Sequence, residues 1–450
     1  MRKFVALLVS LSLAGCGGGD GLDGPDGPAQ CTNDNQKQYV LDSLYYWYLW
    51  NDLLPAGIDI ADYPSPEVLA WEVTRTYGPQ RPEGGPLDRF SYVGSAEADQ
   101  EYFGEGRYEG FGFTWRLSGG EMRFTGVFSD SPAALANFSR GQTVLRLGGL
   151  TISGATTKAE ISAALDPATV EFEIQNLDSS TFTVSVGKDI VTINPIPQFR
   201  TISRGAGEPP VGYMEFATFI STAHDGQGGN DFDDVFSTFI AAGVEDVIID
   251  LRYNGGGLVD TARLLADHLG GFNNDGQVFV NTEFNVQRSS NNSIDYFANR
   301  PNAIDLNRLI IIASRENTAS ASELVINGLD PYVTGGVYIV GENTFGKPVG
   351  QIGLQFCEKI LRPTTFRTSN AAGFGDYFDG LPVDCAVADD LSFPVGDASD
   401  PNMIAALSYI EGAGCPVVSL PGGQQKADLP FDPQQPEPQG PPEREFAGAY

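Results

Sequence analysis

A serine lies where a buried strand gives way to a helix. Ser320 belongs to the segment NTASASE, which follows an apolar run at 308–313 and opens a helical pattern over 319–329. A helix N-terminus offers backbone N–H groups and the positive end of a dipole, and both stabilise a developing oxyanion. Ser320 is therefore a candidate nucleophile. An equally good interpretation is that Thr318 or Ser320 only caps the helix, with Glu323 completing a capping box.

A lysine in an unusual setting follows the next apolar run. Lys347 lies in the segment GENTFGKPVGQ, between glycines and a proline and shortly after the run 336–340. A neutral amine can act as a general base where burial lowers the pKa of the lysine from its ordinary value of about 10.4. Taken alone, Lys347 could equally be a surface lysine on a turn. Together with Ser320 it forms a candidate nucleophile–base pair.

Three glycines end another buried strand. The segment DLRYNGGG closes the apolar run 246–251, and its glycines at 255–257 leave backbone N–H groups free to point into a site. The segment lacks the lysine and hydroxyl residue of a Walker loop and the GxGxxG spacing, so a phosphate-binding role is excluded. The two histidines, His224 and His268, have no serine or acid in a setting that suggests a triad. A Ser-His-Asp mechanism is therefore not expected.

A region rich in predicted strands, residues 105–190, precedes these segments. It opens with the loop residues Gly110, Phe111, Gly112 and Phe113. Glycines in such a loop let backbone N–H groups approach the terminal carboxylate of a peptide, which then adds as an extra strand. The order of features in this region resembles a PDZ domain of the bacterial protease type. The alternative is a β domain without a ligand, because the sequence does not show whether a strand edge is exposed.

The ordered motifs resemble one enzyme family. A strand ending in DLRYNGGG, then TASASE, then GENTFGKPVGQ, behind a PDZ-like region, is similar to the C-terminal processing peptidases, also called tail-specific proteases. In that family the residues matching Ser320, Lys347 and Gln351 are the nucleophile, the base and the group that orients the base. The resemblance also implies that the backbone N–H groups of Ala321 and Gly256 bind the oxyanion.

The resemblance covers residues 35–412 and departs from the family pattern at two positions. Gly255 stands where proline is frequent, and Pro348 stands where glycine is frequent. Because Pro348 has no N–H group, the local geometry beside Lys347 can differ from that of the family. The fold implied is an α/β sandwich peptidase domain with a PDZ domain that gates the substrate.

The domain order follows from these patterns, and the fold class is α/β (an α+β multidomain chain). Alternation of apolar runs with helices after residue 190 predicts βαβ units and a parallel sheet. The predicted segments are a lipoprotein signal (1–15), a flexible tether (16–33), a small helical domain (34–100), the PDZ-like domain (105–190), the serine peptidase domain (191–420) and a disordered tail (421–450). Predicted helices at 35–54 and 67–77 form the helical domain.

The first residues predict export. A positive start at Arg2 and Lys3 leads into an apolar run that is too short to span a bilayer, and the run ends in Leu-Ala-Gly-Cys at Cys16. This pattern resembles a bacterial lipoprotein signal, in which Cys16 is acylated after cleavage. The alternative is an ordinary secretory signal. We expect a lipid-anchored protein of the bacterial envelope, and Gly17 favours the outer membrane, with the protein facing the periplasm or the cell surface.

The net charge and the cysteine content indicate which partners and which cellular compartment to expect. The 450 residues carry a formal net charge of −31, which disfavours nucleic acid as a partner. With Cys16 acylated, four cysteines remain for up to two disulfides in an oxidising compartment. We favour Cys357–Cys385 with Cys31–Cys415 among the three possible pairings. A zinc site is not expected, because the cysteines lack CxxC spacing.

The resulting hypothesis is a lipid-anchored serine endopeptidase that acts on proteins or peptides with accessible C-termini and needs no cofactor or metal. Its membrane contact is the lipid on Cys16. One alternative is a lipoprotein that binds peptides or apolar ligands on the same fold without catalysis. Another is an esterase or amidase for small molecules, against which the PDZ-like region argues.

Overall fold

The computed structural model of the protein describes residues 24–223 and 231–416. The signal segment, residues 16–23 of the predicted tether with Cys16, His224 and the predicted tail at 421–450 lie outside the described residues. Within the described part of the chain, no helix combines the length and apolar character needed to cross a bilayer.

The N-terminal part consists of helices and one strand. Its elements are α1 (Asn33–Trp47), α2 (Pro66–Tyr77), β1 (Tyr92–Ser95) and α3 (Ala96–Glu105). Thr32 and Ser65 cap the first two helices, since each side-chain oxygen accepts the N–H of the third residue along. The apolar faces of α1 and α2 pack against each other in a shared core.

Helix α1 ends at Trp47, whereas the sequence predicts a helix over 35–54. Tyr48 leaves the helix with φ −58° and ψ 133°, and the N–H of Leu49 donates to the Thr364 carbonyl at 2.8 Å. A bond to a strand from the far end of the chain thus takes the place of the next helical bonds. The second predicted helix, over 67–77, is confirmed as α2.

An antiparallel sheet with its own core, called the middle sheet below, forms the next part. The elements are β2 (Arg107–Gly110), β3 (Phe113–Ser118), β4 (Glu121–Val127), α4 (Pro132–Leu135), β5 (Thr143–Leu147), β6 (Leu150–Thr151), α5 (Lys158–Leu165), β7 (Thr169–Gln175), β8 (Thr181–Gly187) and β9 (Asp189–Thr192). The strand order is β3-β4-β5-β7-β8, with β6 paired to β5, so β3 lies at an edge. Strands β2 and β9 pair with each other at the two ends of this part.

The last part is built on a six-stranded sheet. Its elements are β10 (Gln198–Ile202), β11 (Val211–Glu215), α6 (Phe232–Ala242), β12 (Asp246–Asp250), α7 (Val259–Asn274), β13 (Val278–Phe284), β14 (Ser293–Tyr296), β15 (Arg308–Ala313), α8 (Ala321–Leu329), β16 (Val337–Gly341), β17 (Val349–Gln351), β18 (Leu354–Phe356), β19 (Lys359–Arg362), β20 (Thr364–Ser369), β21 (Cys385–Ala386) and α9 (Pro401–Ile410). The order is β10-β11-β12-β15-β16-β21, parallel throughout except for the β10–β11 pair.

Helices cover both faces of this sheet. Val247 and Ile249 of β12 share a core with α6, α7 and α8, whereas Ile248 shares a second core with α9. Because every residue of β12 is buried, the strand shows no apolar–polar alternation. The apolar runs that predicted strands here are confirmed, and so is the mixed α/β fold class.

Two smaller sheets complete the fold, with strand orders β14-β13-β20-β17 and β1-β19-β18. In the second of these, β19 pairs antiparallel with β1. Phe356 and Leu361 of the β18–β19 hairpin enter the core of the N-terminal helices. A hairpin from late in the sequence therefore packs as part of the N-terminal unit.

The disulfides pair differently from the favoured prediction, which was wrong. Cys31 bonds to Cys357, with Cα atoms 5.9 Å apart, and Cys385 bonds to Cys415, with Cα atoms 5.3 Å apart. Cys357 lies at the tip of the β18–β19 hairpin, which packs on the N-terminal helices and so meets Cys31 just before α1. Cys385 lies in edge strand β21, beside the chain that leaves α9.

Candidate active site

Ser320 lies in a strained turn between β15 and α8. Its backbone has φ +54° and ψ −113°, a conformation that costs free energy in a residue with a side chain. A sharp strand-to-helix turn of this kind presents the nucleophilic serine in α/β-hydrolases. Thr318 fixes the turn, since its hydroxyl donates to the Leu251 carbonyl at 2.8 Å and accepts the N–H of Ser314 at 2.9 Å.

The glycine turn after β12 packs directly against Ser320. Gly256 has φ +99°, and a Cβ added there would lie 2.8 Å from Ser320 Cβ and 2.9 Å from the nitrogen of Ala321. Only glycine fits this approach. The structure thus brings Gly256, Ser320 and Ala321 together, as the motifs predict.

The N–H group of Gly256, one of the two expected oxyanion donors, is already engaged in a hydrogen bond within the glycine turn. That N–H donates to Oδ1 of Asn254 at 2.9 Å, while the Gly256 carbonyl accepts the N–H of Phe219 at 2.9 Å. In a trans peptide the N–H of Gly257 points opposite to that carbonyl, away from Phe219. The assignment of Gly256 and Ala321 as oxyanion donors therefore stays a prediction.

Lys347 is buried, with only 2 % of its surface exposed. Its Nζ donates to Oε1 of Gln351 at 2.7 Å and lies 5.3 Å from the centre of the Phe90 ring. Gln351 Nε2 donates to the carbonyls of Phe90 and Arg362 at 2.9 and 2.7 Å. Because both amide hydrogens are engaged, Oε1 is the end of Gln351 that faces the lysine.

Glu323 connects the serine turn to the lysine loop. Its Oε2 accepts the N–H groups of Ser320 and Lys347 at 3.0 and 2.8 Å. Its Oε1 accepts the Thr344 hydroxyl at 2.5 Å and the Gly346 N–H at 2.7 Å. Burial raises the pKa of Glu323 to about 6, and these four hydrogen bonds oppose the rise.

A buried cluster of one arginine and three aspartates lies beside the segment that leads into the glycine turn. Arg252 is 1 % exposed and donates to Asp250 and Asp400 at 2.7 Å each, and to Asp389 at 3.0 Å. Burial alone would raise the pKa of Asp389, but the guanidinium groups of Arg140 and Arg252 hold it below its ordinary value. The cluster fixes the segment that leads into the glycine turn.

Arg140 links the middle sheet to this cluster. Its guanidinium forms a 2.7 Å ion pair with Asp389 and donates to the Phe393 carbonyl at 2.8 Å. The Tyr253 hydroxyl contacts both Arg140 and Asp389. Tyr253 lies two residues before Gly255, the first glycine of the turn. Arg140 therefore connects the middle sheet to the glycine turn through its contact with Tyr253.

The glycine loop of the middle sheet, residues 110–113, lies at the start of edge strand β3. Gly112 has φ +90°, and a Cβ there would lie 2.1 Å from Ser131 Cβ. The carbonyls of Phe111 and Gly112 accept the N–H groups of Ala133 and Phe128 at 2.8 and 2.9 Å. These bonds fix the loop at the N-terminal end of β3, and among the described residues β3 pairs with another strand on one side only.

Sequence reasoning missed three contributors to the site. The sequence gives Glu323 no role beyond completing a capping box in one of two interpretations of the Ser320 segment, and nothing in it predicts the bonds of Glu323 to the lysine loop. Phe90 and Asp389 had no signal, because their roles depend on chain segments 261 and 137 residues away from their partners Gln351 and Arg252. Only a three-dimensional arrangement reveals contacts of that range.

The fold and site define a mixed α/β protein with a helical N-terminal part and a serine presented on a strand-to-helix turn. A putative S41 protease from Bacteroides fragilis shares this fold, with a TM-score of 0.63, 22 % identity, and coverage of 83 % of this chain and 97 % of that chain.

Two family profiles match the chain. Peptidase family S41 matches residues 210–375, and the peptidase S41 N-terminal domain matches residues 35–92. The C-terminal processing peptidase from chloroplasts of Tetradesmus obliquus is 26 % identical over 261 residues, which cover 54 % of this chain and 52 % of the relative. The carboxy-terminal-processing protease of Bartonella bacilliformis is 26 % identical over 306 residues, which cover 66 % and 65 %. Residues 210–375 therefore resemble peptidase family S41, and the aligned regions span 52 % and 65 % of the length of these two curated relatives.

Proposed function

We propose that this chain is an exported, lipid-anchored serine endopeptidase that cleaves proteins captured by their C-terminal tails. The observation that carries the proposal is the buried Lys347, oriented by Gln351, on a loop that shares one carboxylate with the strained Ser320 turn. The match of residues 210–375 to peptidase family S41 supports peptide hydrolysis as the reaction.

In the proposed mechanism, neutral Lys347 takes the proton of the Ser320 hydroxyl as Oγ bonds to the substrate carbonyl carbon. The N–H of Ala321 and an N–H of the glycine turn stabilise the oxyanion, and one such donor is typically worth about 3 kcal/mol. Collapse breaks the C–N bond, and the lysine gives its proton to the leaving amine. Water then attacks the acyl carbon as the lysine takes its proton, the bond from that carbon to Oγ breaks, and the lysine returns the proton to Oγ, which restores Ser320.

Tail capture is assigned to the middle sheet as a PDZ-like module. Support comes from the loop of Gly110, Phe111, Gly112 and Phe113, which leads directly into edge strand β3. A peptide with its carboxylate at this loop would run antiparallel to β3 and pair with it through backbone hydrogen bonds, because the loop lies at the N-terminal end of the strand. The partners expected are protein chains with free C-termini.

The envelope location rests on the sequence of the first residues and on the cysteines. A lipid on Cys16 would anchor the chain to a membrane, and two disulfides suit an oxidising compartment outside the cytoplasm. Disulfide Cys31–Cys357 would join the N-terminal helices to the hairpin close to the anchored end.

Degradation of matched peptides tests the proposal. A peptide with a free C-terminus and its amidated counterpart are incubated with wild type and with Ser320→Ala. We expect cleavage of the free form in preference to the amidated form by wild type, and none by the variant. Equal cleavage of both forms would contradict tail capture, and binding of the free peptide without cleavage by wild type would favour the peptide-binding lipoprotein.

A further inference from the structure

Glu323 makes more hydrogen bonds than a helix cap requires. A capping box accounts for the bond from the Ser320 N–H group alone. The three other bonds come from Thr344, Gly346 and Lys347, which lie 21, 23 and 24 residues further along the chain. Through Glu323, these bonds connect the Ser320 turn to the Lys347 loop, two segments that are more than 20 residues apart in the chain.

We propose that Glu323 is a positioning residue that sets the separation between the Ser320 turn and the Lys347 loop. The proposal rests on the proposed peptidase function and adds to it a residue that touches neither substrate nor the reacting atoms. Because a single oxygen, Oε2, accepts the N–H groups of both Ser320 and Lys347, their backbone nitrogens cannot be further apart than the two bond lengths together, 3.0 and 2.8 Å.

The chemistry of the position requires a carboxylate. Glu323 faces four donors, and an ionised carboxylate is an acceptor at both oxygens. A glutamine in the same volume would turn an NH2 group toward at least one of these donors, so one side of the connection would open. Since a misplacement of about 1 Å can slow a reaction roughly a hundredfold, opening this connection should affect the chemical step more than peptide binding.

The test compares Glu323→Gln with Glu342→Gln. Glu342 begins the same loop and accepts the N–H of Arg315 at 3.0 Å, so the control makes the same chemical change without altering a bond to the N–H groups of Ser320 or Lys347. The readouts are the rate of labelling of Ser320 by a fluorophosphonate, kcat and KM for a peptide with a free C-terminus, and the melting temperature.

We expect Glu323→Gln to label and turn over at least about tenfold more slowly than wild type, with KM within about twofold, while Glu342→Gln matches wild type. A folded Glu323→Gln with wild-type labelling and kcat would overturn the proposal. Absence of Ser320 labelling and of cleavage in wild type itself would instead refute the peptidase function.

A second variant covers the case in which Glu323→Gln does not fold. Thr344→Val keeps the side-chain shape and removes the hydroxyl that donates to Glu323 Oε1, although it also removes the acceptor of the Leu381 N–H. We expect slower labelling of Ser320 with KM maintained, because the lysine loop loses one of its three bonds to the carboxylate. A folded Thr344→Val with the wild-type labelling rate would contradict the positioning role.

Discussion

Lys347 donates a 2.7 Å hydrogen bond from Nζ to Oε1 of Gln351, and the lysine is almost entirely shielded from solvent. The amide is held in this orientation by two backbone carbonyls, one from the N-terminal part of the chain and one from the β18–β19 hairpin. The side chain proposed as the base is therefore oriented, through Gln351, by a nearby hairpin and by Phe90, which lies 261 residues from Gln351 in sequence.

Replacing Gln351 by alanine should lower kcat by roughly 10- to 100-fold, because the lysine loses its orienting acceptor. KM for a tail peptide should change little, since the proposed capture site is on the middle sheet. Steady-state kinetics on Gln351→Ala and on the exposed control Gln355→Ala would show the difference. An equal effect of the two substitutions would contradict a role in orienting the base.

Removing the charge of Arg140 should weaken the attachment of the middle sheet. Arg140→Met leaves Asp389 with Arg252, the Tyr253 hydroxyl and the more distant Arg116, and we expect a loss of about 1–3 kcal/mol in the free energy of unfolding. Arg146→Met is the matched control, since its ion pair with Glu173 is exposed and should be worth less than about 1 kcal/mol. Urea denaturation measures both. Equal losses would indicate that the Arg140–Asp389 pair contributes no more than a surface pair.

The pH dependence of stability should contain a contribution from Glu215. Burial, with a further effect of Asp250, raises the pKa of Glu215 to about 7. A raised pKa means that the folded state favours the neutral form, so this contribution is fully present below the ordinary pKa of 4.5 and is lost as the pH rises through about 7.

Glu215→Gln should therefore gain stability relative to wild type between pH 5 and pH 8, by at most about 3 kcal/mol. Melting temperatures across this range, with Glu245→Gln as an exposed control, measure the difference. A wild type and a Glu215→Gln variant whose melting temperatures change in parallel would refute this reasoning.

The two disulfides should contribute unequally to stability. Cys31–Cys357 spans 326 residues and Cys385–Cys415 spans 30. In the chain-entropy account the longer loop loses more freedom, so removal of the first should cost about 2 kcal/mol more than removal of the second. Unfolding of Cys31→Ser/Cys357→Ser and Cys385→Ser/Cys415→Ser double variants tests this order. A larger loss from the second pair would show that local strain or packing outweighs loop entropy.

Local patterns predicted the elements that carry the site. The strands leading to the glycine turn and to Ser320 are buried almost throughout, the strand leading to Lys347 is buried over its last three residues, and continuous apolar runs predicted all three. The start of α8 was also predictable within two residues, because small residues and Glu323 mark a helix N-terminus.

Contacts between residues that are distant in sequence could not be predicted from these local patterns. The pairing of Cys31 with Cys357 depends on where the β18–β19 hairpin packs, and α1 ends early because Leu49 bonds to Thr364. The packing of Phe90 beside Lys347 is another such contact, because the two residues are distant in sequence and meet only in the folded chain. Spacing and composition carry no information about such contacts.

Covalent labelling tests the central claim most directly. Wild type, Ser320→Ala and Lys347→Met are treated with a fluorophosphonate, and digestion with mass spectrometry locates the adduct. The account predicts one adduct, on Ser320 in wild type, and at least about a hundredfold slower labelling in Lys347→Met, because the nucleophile has lost its base. A folded wild type without an adduct on Ser320, or a Lys347→Met variant labelled at the wild-type rate, would contradict it.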